Sequence, residues 1–170
     1  LKSEIISPNP FDFSFSLSEQ KRGFTIKNLH LAKGVFFATA KERLGSWNVS
    51  ISIKNLSLRE LHKYISKQKG ALDEVSSGSI NAEIKVKGNL TGVNSLIINS
   101  LFKNISLQAK QGTIATDALT AEWELQAKQS KGLWQWQNSH SIKQGELYLE
   151  PVYLKVKEKG LQLKAKGLWS

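Results

Sequence analysis

Apolar and polar residues alternate one for one through most of this chain, and three times the alternation slips at an asparagine. The longest regular run sets Leu119, Ala121, Trp123, Leu125 and Ala127 against Thr120, Glu122, Glu124, Gln126 and Lys128. Successive side chains of a strand point to opposite sides, so such a run builds a sheet with one apolar and one polar face. The slips share one phrase: Ile26-Lys27-Asn28-Leu29-His30-Leu31, Ile53-Lys54-Asn55-Leu56-Ser57-Leu58 and Phe102-Lys103-Asn104-Ile105-Ser106-Leu107. In each copy the first, fourth and sixth positions are apolar, so the phase flips at Asn28, Asn55 and Asn104. A one-residue flip is what a β-bulge produces, and Asn tolerates the less common backbone regions better than most residues. A strand ending at the Asn with another beginning after it gives the same pattern. The copies start at uneven intervals, which indicates a recurring strand phrase and not a strict repeat period.

Alternation and apolar runs predict strands from Phe11 to Leu17, Phe24 to Leu31, Val35 to Lys41 and Trp47 to Ile53, where Trp47, Val49, Ile51 and Ile53 share a face. Further strands follow from Ser79 to Lys87, Leu96 to Leu107 (as one strand or two), Leu119 to Lys128, Leu133 to Trp136, Ile142 to Leu149, Val152 to Val156 and Leu161 to Trp169. That makes about eleven strands, with Gly112, Gly132, Gly145 and Gly160 as punctuation and Gly88-Asn89-Leu90-Thr91-Gly92 as a turn. Pro8 and Pro10 make the first residues an extended lead-in.

One helix is expected. Ser57 and Glu60 have the form of a capping box, and Leu58, Leu61, Tyr64 and Ile65 recur at helical spacing, so a helix runs over 58–69 until Gly70 stops it. A loop then fills Gly70 to Gly78. The fold class is mainly β: a curved, largely antiparallel meander with one short helix, all 170 residues forming one β-rich domain.

The chain begins at Leu1 and holds no Met, which suggests a piece of a longer or processed protein. No apolar run approaches the roughly 20 residues that span a membrane as a helix. The absence of Cys removes disulfides, thiolate catalysis and Cys-ligated zinc together. The net charge of +10 favours anionic partners. The lysines are spread over strands: Lys85 and Lys87 alternate with Ile84 and Val86, Lys155 and Lys157 with Leu154 and Val156, Lys164 and Lys166 with Leu163 and Ala165. A solvated sheet face that discourages edge aggregation accounts for this arrangement.

Little speaks for catalysis. The three histidines, His30, His62 and His140, lack metal-ligand spacing. Ser139 or Ser141 with His140 and one of Asp12, Asp73 or Asp117 could make a triad on paper, but no nucleophile elbow supports it, and His140 reads as an exposed loop residue. Glu146 with Glu150 and Glu122 with Glu124 share strand faces with lysines, so cross-strand ion pairs explain them better than acid–base chemistry. Nucleic-acid binding needs exposed aromatics over a basic groove, whereas Trp47 and Trp123 sit on apolar faces, and Trp134 and Trp136 pack the same way. No catalytic residue, metal ligand, cofactor or nucleic-acid partner is expected. The Asn-x-Ser/Thr sequons at Asn48, Asn55, Asn89 and Asn104 reflect the abundance of Asn and Ser.

One segment resembles a known family. Ser77-Gly78-Ser79-Ile80-Asn81-Ala82-Glu83-Ile84-Lys85-Val86-Lys87-Gly88 is similar to a glycine-and-strand phrase of AsmA-like bacterial envelope proteins, the superfamily that holds the TamB and YdbH branches. The helix over Leu58 to Ile65 resembles the short helix before that phrase. Gly112-Thr113-Ile114-Ala115-Thr116 with Leu119-Thr120-Ala121, and Gly145-Glu146-Leu147-Tyr148 with the run from Gly160 to Gly167, resemble the later strands. The likeness covers roughly residues 50 to 170 and fits the YdbH-type order best, although this chain is far shorter than a full bridge. It implies a bent sheet curled into a groove, apolar inside and polar outside, in the periplasm of a diderm bacterium, with an inner-membrane anchor on the parent protein. It also implies transport of phospholipid between the two membranes, with no catalytic residues.

The residues themselves are compatible with that role. A sheet with one apolar face must cover it. Acyl chains could do so against Ile84, Val86, Ala121, Trp123, Leu125, Leu154, Val156, Leu161 and Leu163, the candidate lining. Phospholipid acyl chains are then the expected partner, with other envelope proteins beside them. The alternative is an envelope interaction or assembly module with a closed β core, whose strand edges pair with a partner.

Overall fold

The computed structural model describes residues 12–17, 21–65, 72–109, 112–157 and 160–169. They form one antiparallel sheet and one helix: β1 (Asp12–Leu17), β2 (Lys21–Leu31), β3 (Gly34–Arg43), β4 (Ser46–Ser57), α1 (Leu58–Ile65), β5 (Leu72–Asn89), β6 (Gly92–Ala109), β7 (Ile114–Ser130), β8 (Leu133–Leu149), β9 (Val152–Val156) and β10 (Leu161–Trp169). Each strand pairs with the next as far as β8, so the sheet is a meander. β9 and β10 then share the outer side of β8: β9 pairs Gly145 to Leu149 and β10 pairs Trp134 to Ile142. The sheet does not close on itself. Among the described residues no helix is long and apolar enough to cross a membrane.

The asparagine slips are bulges inside strands. Asn28, Asn55 and Asn104 have φ of 54°, 54° and 49°, and the register shifts between Ile26 and Leu29, Ile53 and Leu56, and Phe102 and Ile105. In each case two residues oppose one on the neighbouring strand. Asn81 faces the second bulge and holds it, its Oδ1 accepting the backbone N–H of Asn55 at 2.6 Å. Thr120 faces the third, its Oγ1 accepting the N–H of Asn104 at 3.3 Å. The slip therefore moves no apolar side chain to the wrong side. Ile53 and Leu56 pair with Ala82 and Ile80, and Phe102 and Ile105 pair with Ala121 and Leu119, which are same-face neighbours.

The line of irregularity continues through Ala118, with φ of 45°, to Gly145, with φ of 109°. A Cβ on Gly145 would lie 2.5 Å from Leu119 Cα, so that position needs glycine twice over, for conformation and for space. Bulges bend a strand and increase its twist. A row of them across adjacent strands divides the sheet into a short end and a long end.

The core sits at the short end. Leu56, Val75, Ile105, Ala109 and Val156 are buried, Ile105 most deeply at 4% exposure, and α1 packs against β5 and β4. The Ser57 Oγ accepts the Glu60 N–H at 3.3 Å, which is half of the expected capping box, and the Ser57 N–H donates to Ala32 O at 3.0 Å. Residues 66–69 of the expected helix, and Phe11 of the first expected strand, lie outside the described residues.

Three sequence expectations need correction. The loop over Gly70 to Gly78 is strand from Leu72 onward. Its polar residues hide the alternation but still pair: Ser76 and Ser77 donate their hydroxyls to Ser106 O and Asn104 O. The two strands expected at 133–136 and 142–149 are one continuous strand, β8, which leaves ten strands among the described residues. His140 consequently lies within a strand and not in a loop.

Candidate functional site

Register assigns every paired residue to a face. On the long end one row reads Ala40, Val49, Val86, Leu96, Ala127, Trp136, Gly167 from β3 to β10. The next reads Ala38, Ile51, Ile84, Ile98, Leu125, Asn138, Ala165. The third reads Phe36, Ile53, Ala82, Ser100, Trp123, His140, Leu163. Beyond the bulges the same face carries Val75, Leu107, Thr116, Leu147 and Leu154 in one row. All nine candidate residues stand on this single face.

They do not share one environment. Ile84, Val86, Ala121, Trp123 and Leu125 are half-buried in the middle of the sheet. Leu161 and Leu163 lie on the edge strand, the latter 61% exposed. Val156 is buried at the short end, and Leu154 is half-buried beside it. Among the described residues Ala127, at 5% exposure, is the buried apolar side chain of the long end, the others there are half-buried or exposed, and no second layer lies over them. Among the described residues the sheet is thus covered by a helix at the short end and by no second element along the rest.

Several members of this face escaped the candidate list. Ile51, Leu96 and Ile98 occupy the same rows as Val86 and Leu125. Their alternation was a sufficient signal for the face, but not for which strands lie side by side. Trp136 and Trp134 also belong here, each over a cross-strand partner on β10: Trp136 over Gly167, and Trp134 against Trp169 with ring centroids 5.9 Å apart.

Polar groups also stand on this face, Arg22, Glu42, Ser100, Thr116 and Gln129 among them, and at one place they form a side-chain network. Trp123 and His140 are cross-strand partners with rings stacked at 6.3 Å and 8°. Trp123 Nε1–H donates to Asn138 Oδ1 at 2.7 Å, and Asn138 Nδ2 lies 3.0 Å from His140 Nε2. The period-two series Trp134, Trp136, Asn138, His140, Ile142 places these residues together. The signal was lost because Asn138-Ser139-His140-Ser141 is polar on both faces.

The opposite face is mainly polar, with Phe37, Ile97, Leu101 and Leu168 set among its charged and amide side chains. Lys85 pairs with Glu83 at 2.9 Å and Lys143 with Glu122 at 2.8 Å, exposed contacts worth up to about 1 kcal/mol each. Lys155 pairs with Glu146, whose other oxygen accepts the Tyr153 hydroxyl at 2.7 Å. The Lys155 ammonium, then the Tyr153 hydroxyl, hold the Glu146 carboxyl below the usual carboxylate range, and Glu146 in turn raises both partners. The open depressions of the sheet have mixed linings. One of about 560 Å³ is lined by Ser52, Asn81, Glu83, Leu101, Glu122 and Glu124, one of about 480 Å³ by Gln126, Gln137, Ser139, Lys164 and Lys166 with Glu124, and one of about 590 Å³ by Ile97, Gln126, Gln135, Trp136, Lys166 and Leu168. The apolar face offers an open surface of aliphatic and aromatic side chains.

Comparison of the chain with protein-family models, with curated proteins and with solved structures finds no match.

Proposed function

We propose that this chain is a non-enzymatic lipid-binding segment that holds acyl chains along the apolar face of its sheet. The observation that carries the reading is the predominantly apolar face running from β3 to β10 with no layer over its long end among the described residues. Such a surface in water must find a cover. Hydrocarbon is a suitable one, because each CH₂ removed from water contributes about 0.8 kcal/mol without any specific contact. The lysines of the other face keep the segment in water and attract anionic head groups at roughly 1 kcal/mol each near a membrane.

The resemblance to AsmA-like envelope proteins of the YdbH type supports placing this activity in the periplasm of a diderm bacterium. The segment would there contribute to phospholipid movement between inner and outer membranes as part of a parent anchored in the inner one. A closed-core assembly module is less favoured, because the sheet is open and its apolar face is bare. Extraction of the purified protein with organic solvent, followed by mass spectrometry, tests the proposal. Co-purifying phospholipid is expected, and a lipid-free protein that also takes up none from vesicles would refute it.

A further inference from the structure

The polar interruption of the apolar face is a constructed feature, and we propose that it is a hydrogen-bonding site for the carbonyl or carboxylate oxygen of an acyl ligand, with His140 Nδ1–H as the donor. This rests on the reading of the face as acyl-binding. The deduction runs along three side chains. An indole nitrogen can only donate, so the amide partner of Trp123 must present its oxygen, and Asn138 does so at 2.7 Å. That orientation turns the amide nitrogen toward His140, where it lies 3.0 Å from Nε2. An amide nitrogen also only donates, so Nε2 must accept. In the tautomer that accepts at Nε2 the proton sits on Nδ1. Stacking on Trp123 at 8° fixes the plane of the ring.

The setting selects the ligand. Leu163 stands across from His140 on one side and Trp123 on the other, and Ile142 shares its face along β8. The charged residues nearest in sequence and register, Glu122, Glu124, Lys143, Lys164 and Lys166, project from the opposite face. Among the described residues a phosphate would find no cation paired with His140 or its row neighbours on this side. A ligand that is hydrocarbon apart from one acceptor oxygen satisfies both the donor and its surroundings. Ser100, next to Trp123 in the same row, adds a hydroxyl on the far side of the indole.

Equilibrium binding of oleic acid, methyl oleate and 1-octadecene to the protein and to His140→Phe tests the site. Phe keeps a flat ring against Trp123 and removes the donor. The variant is expected to bind oleic acid about 3- to 10-fold more weakly and 1-octadecene unchanged. An equal loss for methyl oleate assigns the oxygen to any acyl carbonyl, and no loss for methyl oleate assigns it to a free carboxylate; both support the site. Unchanged binding of all three ligands overturns it and leaves the acyl reading standing, whereas a wild-type protein that binds none overturns both. If His140→Phe does not fold, the ¹⁵N imidazole spectrum of the wild type decides. The Nδ1-protonated form and a shift of Nδ1 on adding oleic acid are expected, and a protonated Nε2 or an unmoved Nδ1 overturns the proposal.

Discussion

Trp47 lies across Gly88, its cross-strand partner, so closely that a Cβ on the glycine would stand 2.2 Å from Cζ2 of the indole. The indole is also tied at its far end, Nε1–H donating to Asn89 O at 3.0 Å. Trp136 covers Gly167 in the same manner, with the corresponding distance 2.7 Å. An aromatic ring laid over a strand glycine shields backbone that has no side chain of its own. In a sheet with one bare face, these two pairs supply local order that a core would otherwise provide.

Gly88 is not among the residues with left-handed φ, so its backbone conformation suits alanine, but a Cβ there would meet both the Trp47 ring and the Gly92 carbonyl oxygen, the latter at 2.5 Å. Gly88→Ala is expected to lower the unfolding free energy by about 1–3 kcal/mol in urea titrations. In a Trp47→Ala background the same change should cost less, the contact with the Gly92 carbonyl oxygen accounting for the loss that remains. Equal losses in both backgrounds would mean that the ring is not the obstacle.

The bulges predict a sharp ordering at Asn104. Gly and Val both lose the Asn side chain, so the difference between Asn104→Gly and Asn104→Val isolates the backbone. Asn104→Val should be the less stable by about 1–2 kcal/mol, the penalty of a left-handed residue with a Cβ branch. Equal stabilities would show that the strand passes this point without a bulge.

Glu146 gives a pH dependence of known sign. Its carboxyl is held down by Lys155 first and Tyr153 second, so the ionised form is favoured in the folded state. The stability it contributes is present above the usual carboxylate range and is lost as pH falls through the depressed value. Glu146→Gln should therefore flatten the acid limb of the pH–stability curve, and high salt should shrink the difference, because all three groups are at the surface. A variant whose acid limb matches the wild type at low salt would contradict this.

Much of the sheet was legible before its structure. Alternation fixed the face of Val86 and Leu125, and the displaced phase at Asn28, Asn55 and Asn104 located the bends. What it could not show was pairing. Ser76 and Ser77 read as loop because they hold β6 through hydroxyls, not through apolar contacts. The stretch from Asn138 to Ser141 read as a gap because a polar site on the apolar side erases the alternation that announces a strand. The same erasure hid the Trp123–Asn138–His140 network, which exists only once β7 and β8 lie in register.

The central claim is that the long end of the apolar face is bare until lipid covers it. Val86 and Leu125 stand in its two middle rows, and Val86→Glu combined with Leu125→Glu places a carboxylate in each. If the face is open, the double variant keeps its β-sheet circular dichroism and a cooperative unfolding transition, and native mass spectrometry shows that lipid bound to the wild type is gone. If the face is instead a closed core, two unpaired carboxylates costing several kcal/mol each would unfold the protein. An unfolded double variant, beside a wild type that carries no lipid, is the result that would contradict the account.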